Sequence, residues 1–80
     1  MENRQLPTMT LTLSDDSTME CGVYGIFEMG NTNYICLVSY EDEEILYYRY
    51  YEEESPRLEV IDNALEDRLV REKIEQLFML

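Results

Sequence analysis

The sequence predicts an α+β domain: a curled, mainly antiparallel sheet of about five strands with one C-terminal helix packed on one face. Three observations predict it. Residues 33–51 hold two strand-like runs, NYICLVSY and ILYYRYY, joined by the acidic turn EDEE. Residues 8–13 (TMTLTL) alternate strictly, with Met9, Leu11 and Leu13 against Thr8, Thr10 and Thr12. The last stretch, residues 63–79, carries apolar residues at helical spacing.

In chain order, residues 1–7 (MENRQLP) show no periodicity and end in proline, which reads as a flexible N-terminal arm. A single small domain then runs over residues 8–80, with the sheet in 8–61 and the helix in 63–79. Eighty residues with 45% apolar content suffice for one two-layer core. Ser14, Asp15, Asp16 and Ser17 form the turn after the first strand. The second strand, residues 18–29, places Cys21, Val23 and Phe27 at even spacing, and Gly22 and Gly25 within it mark a bulge or bend.

Gly30, Asn31 and Thr32 read as a three-residue turn into a third strand, residues 33–40, which is apolar on both faces and so belongs in the middle of the sheet. A four-residue loop of Glu41, Asp42, Glu43 and Glu44 would set Tyr40 opposite Ile45. One face of the hairpin then shows Ile35, Leu37, Leu46, Tyr48 and Tyr50. The other shows Tyr34, Cys36, Val38, Tyr40, Ile45, Tyr47, Arg49 and Tyr51. Because the second face alone carries a charge, the first is expected against the helix, joined by Cys21, Val23 and Phe27, and the second is expected to look outward. Residues 57–61 (RLEVI) make a short fifth strand, with Leu58 and Val60 alternating against Glu59 and Pro56 at its start.

The helix begins at Asp62 or Asn63. Asn63 three residues before Glu66 fits a capping box. Val70, Ile74, Leu77 and Phe78 lie on one helical face, which Leu65 and Leu69 widen toward the start, while Arg68, Arg71, Glu72 and Glu75 form the solvent side.

Six basic against 18 acidic residues leave a net charge of −12, which disfavours direct binding to nucleic acid phosphates or to anionic membranes. Residues 41–54 hold seven acids (Glu41, Asp42, Glu43, Glu44, Glu52, Glu53 and Glu54) and one base, Arg49, a sum of −6 and half of the total. Acidic turns of this kind keep a small sheet protein soluble, or dock a basic partner. The inventory argues against an enzyme: there is no histidine, no Gly-rich phosphate loop and no Ser or Cys beside a plausible base, and the carboxylates lie in turns, not in a pocket that would separate their pKa values. No cofactor is expected. Two cysteines without histidine cannot build the usual structural zinc site, and the acidic turn lacks the spacing of a calcium loop. Cys21 and Cys36 read as buried free thiols of a reducing compartment, with a disulfide between the second and third strands as the alternative. The opening residues do not read as a leader, and no apolar run approaches the ~20 residues that cross a bilayer, so the expected location is cytoplasmic.

The candidate binding residues are therefore Tyr34, Tyr40, Tyr47 and Tyr51 around Arg49, bordered by Glu41, Asp42, Glu43 and Glu44, a composition of aromatics and arginine found in interaction hot spots. The same residues would also stabilise a sheet surface. The expected function is a non-catalytic protein-interaction module for a basic protein or, through the tyrosine face, a second copy. An alternative is an acidic mimic of a nucleic acid that occupies a basic DNA- or RNA-binding protein.

Taken together, these parts resemble the YrzB-like domain of unknown function, a family of short acidic proteins of Gram-positive bacteria. The residues that carry the resemblance are Met9, Leu11 and Leu13 in a Thr-rich first strand, Asp15 and Asp16, then Phe27 and Glu28 with Gly30 and Tyr34. The acidic break at residues 41–44, the strand Ile45–Tyr51, the second break at 52–54, and Val70, Ile74 and Leu77 in a terminal helix complete it. The chain departs from the family in lacking Asp-Gly in the first turn and a proline near the end of the third strand, and in a fourth strand richer in tyrosine. The resemblance implies compartment and architecture and leaves the function open.

Overall fold

The period-two runs pair into one sheet in the computed structural model, which describes residues 6–12, 16–54 and 56–78. Strands β1 (Thr8–Thr12), β2 (Thr18–Met29), β3 (Thr32–Ser39), β4 (Ile45–Tyr51) and β5 (Arg57–Glu59) are antiparallel neighbours in sequence order. The helix α1 (Ala64–Phe78) follows and packs on one face, so the predicted α+β class is the observed one. Among the described residues no helix is long and apolar enough to cross a membrane. Leu13, Ser14 and Asp15 of the expected first strand and turn, and the last residue of the expected helix, lie outside the described residues, as do residues 1–5 of the expected arm. The arm's last residue is tied to the sheet: the Val23 N–H donates to the Pro7 carbonyl at 2.7 Å.

Both faces of the sheet are covered, each by a different device. On the concave side Leu11, Cys21, Ile35 and Leu37 are buried, with Met9, Met19, Val23, Leu46, Tyr48, Tyr50 and Leu58 packed around them. Leu11 and Leu58 come from the two edge strands, and residues of both strands line one cleft, so the sheet curls and covers this face with itself. On the convex side Val70 and Ile74 of α1 pack on Tyr34 and Cys36, with Tyr24, Phe27, Met29, Tyr47, Ile61 and Phe78 beside them. This overturns the expected orientation. The charged tyrosine face lies under the helix, and the face of Ile35 and Leu37 does not. Curling satisfies the apolar face without a helix, and Glu59, Asp62 and Glu66 neutralise the charge on the other.

A bulge explains the division of β2. Val23 stands opposite Leu37 and Gly25 opposite Cys36, which leaves Tyr24 unpaired between them. The extra residue flips the alternation. Cys21 and Val23 join the concave core as expected with Ile35 and Leu37, whereas Phe27 moves to the helix side.

The hairpin turns also differ from the expectation. Gly30 and Asn31 alone separate Met29 from its partner Thr32, with Gly30 at φ 65°, the first-position glycine of a two-residue hairpin turn. At the next turn the four loop residues are Tyr40, Glu41, Asp42 and Glu43. Ser39 N–H donates to the Glu44 carbonyl at 2.8 Å, and Glu43, at φ 57°, donates to the Ser39 carbonyl. The register is Val38 opposite Ile45, two positions from the expected one. A shift of two keeps every side chain on its face, so the two expected face compositions hold.

β5 stops at Glu59. Val60 is 68% exposed, and Ile61 reaches the helix-side core. Within α1, Val70 and Ile74 are buried, while Leu65, Leu69 and Leu77 are exposed, so the helix meets the sheet along a narrower stripe than its apolar content suggests.

Candidate functional site

Arg49 sits in β4 between Tyr34 of β3 and Glu59 of β5. Its guanidinium has five donors in a rigid fork, and the fold meets them with three carboxylates. Nε donates to Glu66 Oε2 at 3.0 Å and Nη2 to Glu66 Oε1, a bidentate pair. Nη1 donates to Glu59 Oε1 at 2.7 Å, and Asp62 Oδ1 lies 3.4 Å from Nη2. Tyr34, itself 3% exposed, donates its hydroxyl to Glu66 Oε2 at 2.6 Å. Glu66 is held by local sequence as well: its backbone N–H donates to Asn63 Oδ1 at 3.0 Å, the cap expected at the helix start. The Glu66 carboxylate does not complete a capping box; its two oxygens go to Arg49 and Tyr34.

The electrostatics follow from these bonds. The Arg49 guanidinium, and then the Tyr34 hydroxyl, bring the Glu66 carboxyl down to about 2. Arg49 is held above its ordinary value by Glu66 and Glu59. Burial, and then the hydrogen bond to Glu66, raises Tyr34.

A second contact of the same kind lies one turn along the helix. Arg71 donates to Asp67 Oδ2 at 2.6 Å, which holds the Asp67 carboxyl below its usual range, and Tyr47 packs against the helix beside Arg71. Thus Tyr34, Tyr47 and Arg49, expected on an open binding face, fasten α1 to the sheet. Tyr51 stands at the edge of the Arg49 group: the Arg57 guanidinium stacks 4.3 Å from its ring centre, and its hydroxyl is 3.5 Å from Glu59 Oε1, the oxygen that also accepts from Arg49 Nη1. Tyr40 belongs to the β3–β4 loop, where its ring lies over Gly22 beside Val38. Of the expected tyrosine cluster, Tyr40 therefore stands away from the contacts of Arg49 and the helix.

The acidic residues remain on the surface. Glu41, Asp42, Glu43 and Glu44 are exposed, and among the described residues none of them is in an ion pair. Nor, among the described residues, do any three His, Cys, Asp or Glu side chains converge as a metal site would require. Next to this turn Ile45, 36% exposed, borders a groove of about 320 Å³ between β4 and α1, lined also by Tyr47, Arg71, Ile74 and Glu75. The sequence pattern did not show this groove, because Ile45 and Ile74 are far apart along the chain. Glu66 was equally hidden as the partner of Arg49, its visible signal being a place three residues after a capping asparagine.

Cys21 and Cys36 are buried free thiols on opposite faces of the sheet, which excludes a bond between them in this fold. Burial pushes the Cys36 thiol up to about 11. Among family models, curated proteins and solved structures, none matches the chain.

Proposed function

We propose that this chain is a non-catalytic protein-interaction module that docks a basic partner protein at its acidic β3–β4 end. One observation supports the reading above others: four exposed carboxylates without ion pairs among the described residues stand directly beside an apolar groove. Arg49, Arg57, Arg68 and Arg71 are all engaged by other acids. The turn therefore keeps its negative potential for something outside the chain, and the groove of Ile45, Tyr47 and Ile74 receives an apolar side chain. A segment with one large apolar residue flanked by Lys or Arg suits both features, the charges steering its approach and the groove holding it. The reading includes a cytoplasmic location in a Gram-positive bacterium, in keeping with the YrzB-like resemblance.

The test is capture of partners from the native cell extract by the wild type, by a Glu41→Gln, Asp42→Asn, Glu44→Gln triple variant and by Ile45→Ala. A protein retained by the wild type, lost with the triple variant and weakened by Ile45→Ala is the expected result, and its affinity should fall as ionic strength rises. Equal retention by all three proteins, or retention of nothing specific, would sink the reading. Tyr47 and Arg49 are unsuitable probes, because both also contact α1 and their loss would weaken the fold.

A further inference from the structure

The two edges of the sheet are unlike. β5 has three residues, two of them charged (Arg57 and Glu59), and Pro56 precedes it. Shortness, charge and proline are the devices that prevent a sheet edge from pairing. β1 is longer, at five residues, and TMTLT is uncharged in a chain of which 30% of residues are charged; its one such device is Pro7, directly before its first residue.

Among the described residues, the open groups of β1 can be named. The bond from Val23 N–H to the Pro7 carbonyl makes 7/23 a hydrogen-bonded pair, and the register extends this type to Met9/Cys21 and Leu11/Met19. Thr8, Thr10 and Thr12 therefore turn their N–H and C=O groups away from β2, and all three residues are exposed. As first and fifth strands of an antiparallel meander, β1 and β5 run parallel to each other, so one further strand antiparallel to both would close the barrel. Between them lies a cleft of about 370 Å³ lined by Met9, Thr10, Leu11, Thr12, Pro56 and Leu58, with no charge among them.

We propose that the free edge of β1 is a docking site for an extended segment of a partner protein, which adds antiparallel to β1 as a sixth strand. Its apolar residues, at every second position, would lie over Met9, Leu11 and Leu58. Basic residues at the alternate positions complement a chain of net charge −12, whereas a second copy would bring −12 against −12. This site uses a different strand from the acidic turn and stands or falls independently of it.

The probe is a fluorescein-labelled peptide of sequence KVTVKVTVK with blocked ends. Binding is expected to slow amide exchange at Thr8, Thr10 and Thr12. Thr10→Pro removes one outward N–H and leaves the β1–β2 ladder intact, so it should weaken binding about tenfold. Three results overturn the proposal: no binding of the peptide, binding without protection of those three amides, or binding unchanged by Thr10→Pro. A wild-type dimer in sedimentation equilibrium that Thr10→Pro dissociates would also overturn it, since the occupant would then be a second copy. If Thr10→Pro fails to fold, amide protection in the wild type decides alone.

Discussion

Arg49 and Glu66, seventeen positions apart, form a bidentate pair that joins β4 to the first turn of α1. The side chains are 18% and 21% exposed, so the pair is screened much less than an exposed one. Replacing Arg49 with Met leaves Glu66 without its cation beneath the helix, while Glu59 keeps Arg57 at 3.3 Å. The expected result is a fall in Tm on the order of 10 °C. Adding Glu66→Leu to Arg49→Met should recover part of that loss, since the uncompensated carboxylate goes with it. Thermal melts of the single and double variants, followed by far-ultraviolet circular dichroism, check this; a double variant less stable than Arg49→Met would contradict it.

The same pair sets a pH dependence. Glu66 has its folded pKa depressed to about 2 from an ordinary 4.5. Its contribution to stability is therefore fully present above pH 4.5 and disappears as pH falls toward 2. Protonation of the many other acids relieves repulsion over the same range, so the informative quantity is the difference between wild type and Glu66→Gln. That difference should be largest above pH 4.5 and shrink steadily toward pH 2 in urea titrations. A difference independent of pH would mean that Glu66 does not carry this charge interaction.

Gly22 leaves room for Tyr40. A Cβ at this position would stand 2.8 Å from Tyr40 Cζ and 3.2 Å from Val38 Cγ1, too close for either to stay in place. Gly22→Ala should cost about 1–3 kcal/mol by overpacking. The loss should be smaller in a Tyr40→Ala background, where the ring is absent, and chemical denaturation of the four proteins in the cycle measures the coupling. Equal losses in both backgrounds would place the strain elsewhere.

Cys36 lies between the sheet and α1, with its pKa pushed to about 11 by burial. At pH 8 a disulfide reagent should therefore label the native protein much more slowly than the denatured chain, in which both thiols react. Arg49→Met should accelerate the labelling of Cys36 more than that of Cys21, because Cys21 faces the other core. Equal acceleration would show that the helix does not shield Cys36 selectively.

Local chemistry made much of this fold legible. Strict alternation in TMTLT, the glycines of β2 and the acidic breaks between tyrosine-rich runs define a five-strand meander, and Asn63 caps the helix that the apolar spacing predicts. Even a wrong loop position left both hairpin faces correct, because period-two alternation is unchanged by a shift of two. What could not be read locally was which face the helix covers. The choice of a charged residue as a marker of solvent failed at Arg49, since a charge can be buried when its counter-ions arrive from distant positions, here Glu59, Asp62 and Glu66. The same limit applied to the candidate site: composition put tyrosines and acids near one another, but curl, bulge and helix docking turned Tyr34 and Tyr47 inward and left the acidic turn beside Ile45. The sequence by itself determined the elements, their order and their face compositions, because these rest on periodicities within a few residues. Tertiary structure alone decided burial and exposure of the charged face, because that depends on the free energy of pairing groups that the chain brings together only when it closes.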